Sequence, residues 1–451
     1  MIFVRRCACR VVQPFVTLVA LPGSVFIVVG VAMAHSLLAQ TAGPGVLDDT
    51  TANPGLEPAA KLSPVSVFTA KEIPEAEPGK PAWWTGEKNT GGWGYDIAYY
   101  SKWVYAVSGA EYILQFECDP ATAKLTYKGA TRFVGYLSEE KNPNMTCRIR
   151  LLPNGRAMLT LLNGNHKTGF MWYDIDKNTG RLTAAGKQVP PKFDKHNAPQ
   201  LWTPDQQRFC VGGYFWTKIY WYRFADDDAP VEDGSFPLKN WPVANYLGSI
   251  KFSPDWRHMY YLVFQWSEDP LCDKTPQIDT YEIDPKTRSG IYVSSLELPC
   301  DGATRFHVSG AIEPCSPDGK HLYVFLNGGP SSENCYYYVL ARDPGSGKLT
   351  LVQRKTEPAL RGLVGVPYSR PDRLVFAGDG KSGYCIPDYG GTLLESFSRD
   401  PETGTLTFHP PVTDINAHRL VADPVNGNLF TVGEKISSFK IPGSSRAAVA
   451  K

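Results

Sequence analysis

Five residues combine side chains able to do chemistry with a regular placement along the sequence. His196, His307 and His418 lie eight, ten and six residues before a turn proline. Arg361 and Arg305 lie ten and twelve residues before one. All five offsets are even, and strand residues two apart point to the same face. A histidine base and an arginine that holds a carboxylate or an oxyanion suit an anionic, hydroxylated or lactone substrate.

The same five residues have an alternative, structural role. Each could form hydrogen bonds between neighbouring sheets and contribute only to stability. The sequence contains no recognisable Ser-His-Asp order or nucleophile elbow, so it gives a covalent mechanism no support. Glu268, Asp269 and Asp273 lack the spacing of a calcium loop, so we expect solvated charges there. We predict neither a metal nor a cofactor.

The composition indicates strands and excludes some partners. The chain has 451 residues, of which 43% are hydrophobic and 12% aromatic, with 37 Pro and 41 Gly to form turns. Its 46 basic and 45 acidic residues leave a formal net charge of +1. A balanced chain without a basic stripe is not expected to bind nucleic acid.

One hairpin phrase recurs along the chain. In "FSRDPETGTLTF" (397–408), Pro401 presets φ, Asp400 can bond its own backbone and Gly404 accepts positive φ. Related phrases lie at 115–127, 172–184, 280–292 and 339–351, with a degenerate copy at 221–236. The aspartates of the five clear copies are 57, 108, 59 and 57 residues apart, and 108 is twice 54. The chain is therefore built from repeated units.

A second phrase, a turn followed by an alternating apolar strand, lies between the hairpins. Its turn prolines are residues 153, 204, 254, 317, 371 and 424, and 99–109 is a seventh copy with a shortened turn. Each unit then has four strands, which predicts an all-β, seven-bladed β-propeller of four-stranded antiparallel blades. The last unit lacks its fourth strand. The strand-like stretch 61–73 is predicted to supply it and to close the ring.

The N-terminal segment has the pattern of an export signal. Arg5, Arg6 and Arg10 precede an apolar run from Phe15 to Ala34. We predict a signal peptide or an uncleaved anchor at 1–34, a disordered linker at 35–60, the propeller at 61–443 and a disordered tail at 444–451. The protein is expected to be exported, whether periplasmic, extracellular or surface-anchored. We expect a monomer that contacts a membrane only if the segment stays uncleaved.

Eight cysteines follow this segment, and none forms a C-x-x-C motif. An even number in an exported chain permits disulfides. Cys272 and Cys300 are predicted on one face of the fourth blade and are candidates for a bridge. Cys335 and Cys385, in loops of adjacent blades, form a weaker candidate pair.

The repeated phrases resemble a known family. "SPDGKHLYV" (316–324), followed by D-P-x-T-G-x-L-T and repeated over seven units, resembles the lactonase-type seven-bladed propeller family. That family includes 6-phosphogluconolactonase and carboxymuconate cyclase, and the resemblance covers about residues 61–443. It implies a lactonase-type hydrolase or a cycloisomerase. The family's Gly-Pro-Arg-His stretch is represented here only by Arg305 and His307, without a neighbouring Gly-Pro.

Two functions follow as hypotheses. The first is metal-independent hydrolysis or isomerisation of a small lactone or sugar acid at the channel mouth. His196, His307 and His418 would be candidate bases, and Arg305 and Arg361 would hold the anion. Export argues against a sugar phosphate as substrate, because such compounds are scarce outside the cytosol. The second hypothesis is a non-catalytic propeller that binds a protein or glycan through its loop face.

Overall fold

The structure, a computed structural model, places part of the chain in defined elements. It describes residues 19–21, 24–26, 62–75, 96–107, 112–133, 146–152, 154–162, 168–193, 201–203, 207–212, 218–226, 228–239, 249–263, 275–299, 308–313, 315–328, 335–356, 374–386, 393–423 and 425–441. Two compact units, Met1–Val46 and Leu47–Lys451, divide the chain. The first contains a hairpin of β1 (Val19–Leu21) and β2 (Ser24–Phe26). Among the described residues, no helix is long and apolar enough to cross a membrane.

The second unit contains seven antiparallel sheets of four strands each, called blades one to seven in chain order. Blade one consists of β4 (Asp96–Tyr100), β5 (Trp103–Val107), β6 (Tyr112–Cys118) and β7 (Leu125–Arg132). Blade two consists of β8 (Thr146–Leu151), β9 (Arg156–Leu162), β10 (Thr168–Ile175) and β11 (Leu182–Phe193). Blade three consists of β12 (Leu201–Trp202), β13 (Arg208–Gly212), β14 (Lys218–Phe224) and β15 (Pro230–Pro237). Its last hairpin is the degenerate copy of the repeated phrase.

The remaining blades follow the same order. Blade four consists of β16 (Ile250–Phe252), β17 (His258–Val263), β18 (Gln277–Ile283) and β19 (Gly290–Glu297). Blade five consists of β20 (Val308–Glu313), β21 (His321–Gly328), β22 (Cys335–Arg342) and β23 (Leu349–Thr356). Blade six consists of β24 (Leu374–Phe376), β25 (Ser382–Cys385), β26 (Glu395–Arg399) and β27 (Leu406–Phe408). Blade seven consists of β28 (Ala417–Asp423), β29 (Asn428–Gly433), β30 (Ile436–Lys440) and β3 (Pro64–Phe68).

The apolar core is divided among the interfaces between blades. Seven clusters of buried residues are present, and each joins one blade to the next. One of them contains Tyr105 of blade one and Tyr173 of blade two. Another joins Phe430 of blade seven to Phe116 of blade one, so the blades form a closed ring. The predicted all-β seven-bladed propeller is confirmed.

The repeated hairpin phrase forms the turn that its residues predict. In blade six the Asp400 carboxylate accepts backbone hydrogen bonds from Glu402 and Thr403 at 2.8 and 3.1 Å, and Gly404 has a φ of 75°. These hydrogen bonds lower the pKa of Asp400, with the Thr403 contribution the largest. The same turn recurs at Asp176, Asp284 and Asp343. Local chemistry therefore favours these turns.

A polar network fastens blade five to blade six. Arg399 donates to the Asp318 carboxylate at 2.7 Å, to the Tyr323 hydroxyl at 2.9 Å and to Nδ1 of His321 at 2.9 Å. Tyr323 in turn donates to the carbonyl of Gly404 at 3.1 Å. A Cβ on Gly404 would lie 2.3 Å from the His321 ring. The turn therefore needs glycine because any side chain would clash with His321, and also because φ is positive. Because guanidinium only donates, Nδ1 of His321 must accept, and the ring is neutral.

The same network occurs once more, between blades four and five. Arg342 donates to Tyr260, His258 and Asp255, and Tyr260 donates to the carbonyl of Gly347. Burial first, and then the charge of Arg342, lower the pKa of His258; burial and Arg399 do the same for His321. Burial raises the pKa of Asp318, but hydrogen bonds from Ser316 and Arg399 outweigh it and bring it to about 2.

These two histidines are expected to make the stability pH-dependent. Their pKa values in the folded chain lie below the ordinary 6.5, so the unfolded chain binds protons that the folded chain does not. Their contribution is present above about pH 6.5 and is lost as the pH falls through the folded pKa. The melting temperature should fall by several degrees between pH 7 and pH 5.

The matched comparison is a His258→Gln/His321→Gln double variant. It keeps His409, whose pKa burial also lowers, and should show a clearly smaller fall over the same pH range. A fall as large as that of the unaltered chain would contradict the role assigned to the two rings.

The N-terminal strand lies in the last blade. β3 pairs with β30, with Val67 opposite Ser437 and Phe68 opposite Ile436. Ser66 accepts a hydrogen bond at 3.0 Å from the backbone of Leu125 in blade one. The strand therefore pairs with blade seven and bonds to blade one. That it holds the ring closed stays a prediction.

The prediction is tested by two chains that begin on either side of this strand. A chain starting at Ala70 loses β3 and the buried Leu62, which is 4% exposed, whereas one starting at Lys61 keeps both. Removing a buried leucine costs about 2–5 kcal/mol, so the shorter chain should melt roughly 2–6 °C lower. Equal melting temperatures, measured by calorimetry, would show that β3 does not stabilise the ring.

Candidate functional site

The first strand of each blade faces the centre of the ring. Each of these strands is paired on one side only. First strands of adjacent blades contact each other, as β28 with β4, β4 with β8, β16 with β20 and β24 with β28. Their unpaired edges therefore line the central channel, and side chains at these edges are the ones a ligand in the channel can reach.

One of the five predicted site residues lies in the described part of the chain. His418 is half-buried on β28. The pairing of β28 with β29 steps from Ala417 opposite Gly433 to Arg419 opposite Val432, so His418 occupies a bulge. A bulge interrupts the alternation of faces, and counting residues does not fix the direction of this side chain. His196, Arg305, His307 and Arg361 lie outside the described residues, and their roles stay predictions.

The rule of even offsets holds in three blades. Ile149, Ile250 and Leu420 each lie four residues before a turn proline, and each packs on the preceding blade. Residues at odd offsets face the following blade, as Val421 does where it packs against blade one. Shared parity thus gives a shared direction around the ring.

The same count does not carry over to blade five. Tyr260 and Tyr323 occupy equivalent places, since each donates to the turn glycine of the next blade. Tyr260 pairs with Lys251, three residues before its turn proline, but Tyr323 pairs with Glu313, four residues before. One extra residue therefore separates strand and turn in blade five. Arg305 and His307 precede the described part of β20, so their directions stay a prediction.

Charged residues that the sequence analysis did not select lie on the first strands. Asp96 on β4, only 5% exposed, accepts a hydrogen bond from the backbone of Ile149 on β8 at 2.9 Å. Nη1 of Arg150 lies 3.7 Å from the same carboxylate and donates to the Ile149 carbonyl at 3.4 Å. Both side chains therefore bond to backbone groups that β9 leaves unpaired at the channel edge of β8.

Blade five repeats this edge contact with a neutral side chain. The hydroxyl of Ser249, from blade four, accepts a hydrogen bond from the backbone of Ile312 on β20 at 3.0 Å. Capping of a first strand by the preceding blade is therefore a recurring device. Among the described residues, Asp96 is the one such capping side chain that also lies beside a guanidinium.

The adjoining first strands of blades seven, one and two are rich in cations. In order around the ring, β28 carries His418, Arg419 and, at its end, Asp423; β4 carries Asp96, and β8 carries Arg148 and Arg150. These three strands are called the basic sector. Arginines at odd offsets were the available sequence signal: Arg148, Arg150 and Arg419 lie five, three and five residues before a turn proline. The pattern of even offsets does not include them.

Other predicted features are structural or lie outside the described residues. Within the aromatic run 212–224, Ile219 and Trp221 are buried between blades three and four, as a blade interface requires. Burial raises the pKa of the free thiols Cys118, Cys210 and Cys315 to about 12, so they are poor nucleophiles. None of the described buried cysteines, which include Cys385, is in a disulfide. The pair Cys272 and Cys300 and the loop acids Glu268, Asp269 and Asp273 lie outside the described residues.

Comparisons with known proteins give likeness of fold at low identity. No protein-family model matches the chain, and no curated protein matches its sequence. The periplasmic gluconolactonase of Pseudomonas aeruginosa is 18% identical, with 77% of this chain and 88% of that chain covered and a TM-score of 0.48. A provisionally named 6-phosphogluconolactonase of Bacteroides fragilis is 16% identical, with 71% and 84% covered and a TM-score of 0.46. The chain is a seven-bladed β-propeller by its own sheet order.

Proposed function

We propose that this propeller hydrolyses or isomerises a small lactone or sugar acid at the mouth of its central channel. The observation that carries the proposal is the basic sector, whose strands carry His418 and three arginines, Arg419, Arg148 and Arg150, against two carboxylates, Asp96 and Asp423. Such a wall favours an anionic ligand or a reaction that develops negative charge on oxygen.

In the hydrolytic form, a histidine takes a proton from water as the water oxygen adds to the lactone carbonyl. The candidates for this base are His196, His307 and His418. Arginine, at Arg305 or Arg361, stabilises the oxyanion that forms. The ring C–O bond then breaks, the proton moves to the departing ring oxygen, and a single hydroxy acid results.

Export is part of the proposal. It rests on Arg5, Arg6 and Arg10 ahead of the apolar run Phe15–Ala34. An exported enzyme would meet unphosphorylated lactones in preference to sugar phosphates. The expected ligand is therefore a free lactone or sugar acid.

Turnover of a lactone panel tests the function. Sugar-acid lactones and simple γ- and δ-lactones are incubated with the purified chain, and acid release is followed with a pH indicator. The unaltered chain should hydrolyse at least one class, and His307→Ala/Arg361→Ala should lower kcat/KM by about 100-fold or more. His418→Ala tests the one base candidate that the structure describes.

Matched controls carry the same substitutions on the outside of the ring. His409 follows β27 and bonds to Ser398, and Arg354 lies on the outermost strand of blade five. A His409→Ala/Arg354→Ala variant should keep full activity. If the chain releases acid from no lactone faster than the uncatalysed reaction does, the enzyme hypothesis is wrong. The alternative is then a propeller that binds a protein or glycan through its loop face.

A further inference from the structure

We infer that Arg150, positioned by Asp96 at the channel edge of β8, is a binding residue for the carboxylate of a sugar acid. The inference deepens the proposed function and rests on it for placing the ligand in the channel. It adds a site on the wall of blades one and two to the predicted set of His196, His307, His418, Arg305 and Arg361.

Asp96 is buried and hydrogen-bonded to the neighbouring blade. Its side chain is 7% exposed, and a backbone N–H of the neighbouring blade donates to Oδ2 at 2.9 Å. A carboxylate held by a strand backbone cannot rotate away without leaving a buried N–H unpaired, which costs about 1–3 kcal/mol. Asp96 is therefore a rigid anchor for whatever cation lies beside it.

Arg150 is the cation beside it. Its Nη1 approaches Oδ2 of Asp96 at 3.7 Å and the Ile149 carbonyl at 3.4 Å, so the two contacts hold the guanidinium over the unpaired edge of its own strand. The side chain is nevertheless 25% exposed, unlike that of Asp96. A guanidinium held through one nitrogen at the channel edge, and partly in solvent, can meet a carboxylate, which guanidinium groups bind through two parallel N–H donors.

The charges nearby favour an anion over a neutral sugar. Asp96 offsets one positive charge, whereas Arg148 lies on the same strand and Arg419 on the first strand of blade seven. With Asp423 at the end of β28 also counted, three arginines against two carboxylates leave the basic sector with a net positive charge. A neutral sugar would gain no electrostatic attraction there, but a sugar acid would.

Calorimetric titration of the full chain with D-gluconate tests the inference, with D-glucose as the neutral probe. The unaltered chain should bind gluconate and should show no heat with glucose. Arg150→Gln should weaken gluconate binding at least tenfold, and Arg150→Lys should keep part of it because the charge remains. Arg354→Gln, the same change on the outermost strand of blade five, should bind as the unaltered chain does.

Asp96 is tested as a positioning residue. Asp96→Asn keeps the size of the side chain and an acceptor for the Ile149 N–H, so the fold should persist. Gluconate affinity should fall, and an Arg150→Gln/Asp96→Asn double variant should be no weaker than Arg150→Gln alone, because Asp96 acts only through Arg150. Additive losses would overturn that role.

The outcomes separate this inference from the proposed function. If gluconate binding depends on Arg150 but no lactone is turned over, the anion site is supported and the enzyme hypothesis is wrong. If the chain turns over a lactone and Arg150→Gln binds gluconate as well as the unaltered chain does, the enzyme hypothesis is supported and the role of Arg150 as a binding residue is wrong. Absence of gluconate binding by the unaltered chain would overturn the inference. Melting temperatures of all variants show whether a loss reflects unfolding.

Discussion

Every four-stranded sheet of this chain is apolar on both faces, so each one needs a neighbour on each side. In blade five, Leu322 and Val324 pack towards blade four, whereas Tyr323 and Phe325 pack towards blade six. A row of such sheets leaves an apolar face at each end, and a closed ring leaves none. Tyrosines that donate to the turn glycine of the next blade, as Tyr323 does to Gly404, bond neighbouring blades to each other. Ring closure is thus the condition on which the core, the channel and the site depend.

Closing the ring creates the channel and places unpaired backbone polar groups along its wall. Each first strand keeps an unpaired edge, whose N–H and C=O groups need partners. The preceding blade supplies a side chain for this purpose, Ser249 for Ile312 and Asp96 for Ile149. Where that side chain is a carboxylate, it also holds a guanidinium at the channel. A structural need of the fold therefore places charged groups where a ligand can meet them.

The sequence predicted what local chemistry decides. The turn at Asp400 and the register of the repeated hairpins follow from residues close together in the chain. Residues at the same even offset share a direction in three blades, as Ile149, Ile250 and Leu420 do, whereas one extra residue precedes Pro317 in blade five. The bulge at His418 had no local signal either. Contacts across blades, such as that of Asp96 with Arg150, join residues far apart in the sequence, here by 54 positions. They depend on the geometry of the ring, so no local motif predicts them.

The most direct test of ring closure is a cross-link between the N-terminal strand β3 and β30 of the last blade. Val67 of β3 and Ser437 of β30 are direct partners, so a Val67→Cys/Ser437→Cys variant places two thiols side by side. A closed ring predicts rapid formation of an intramolecular disulfide in the monomer under mild oxidation, located by peptide mapping. Thiols that stay reduced, or that join only separate molecules, would contradict a ring in which residues 64–68 complete the last blade.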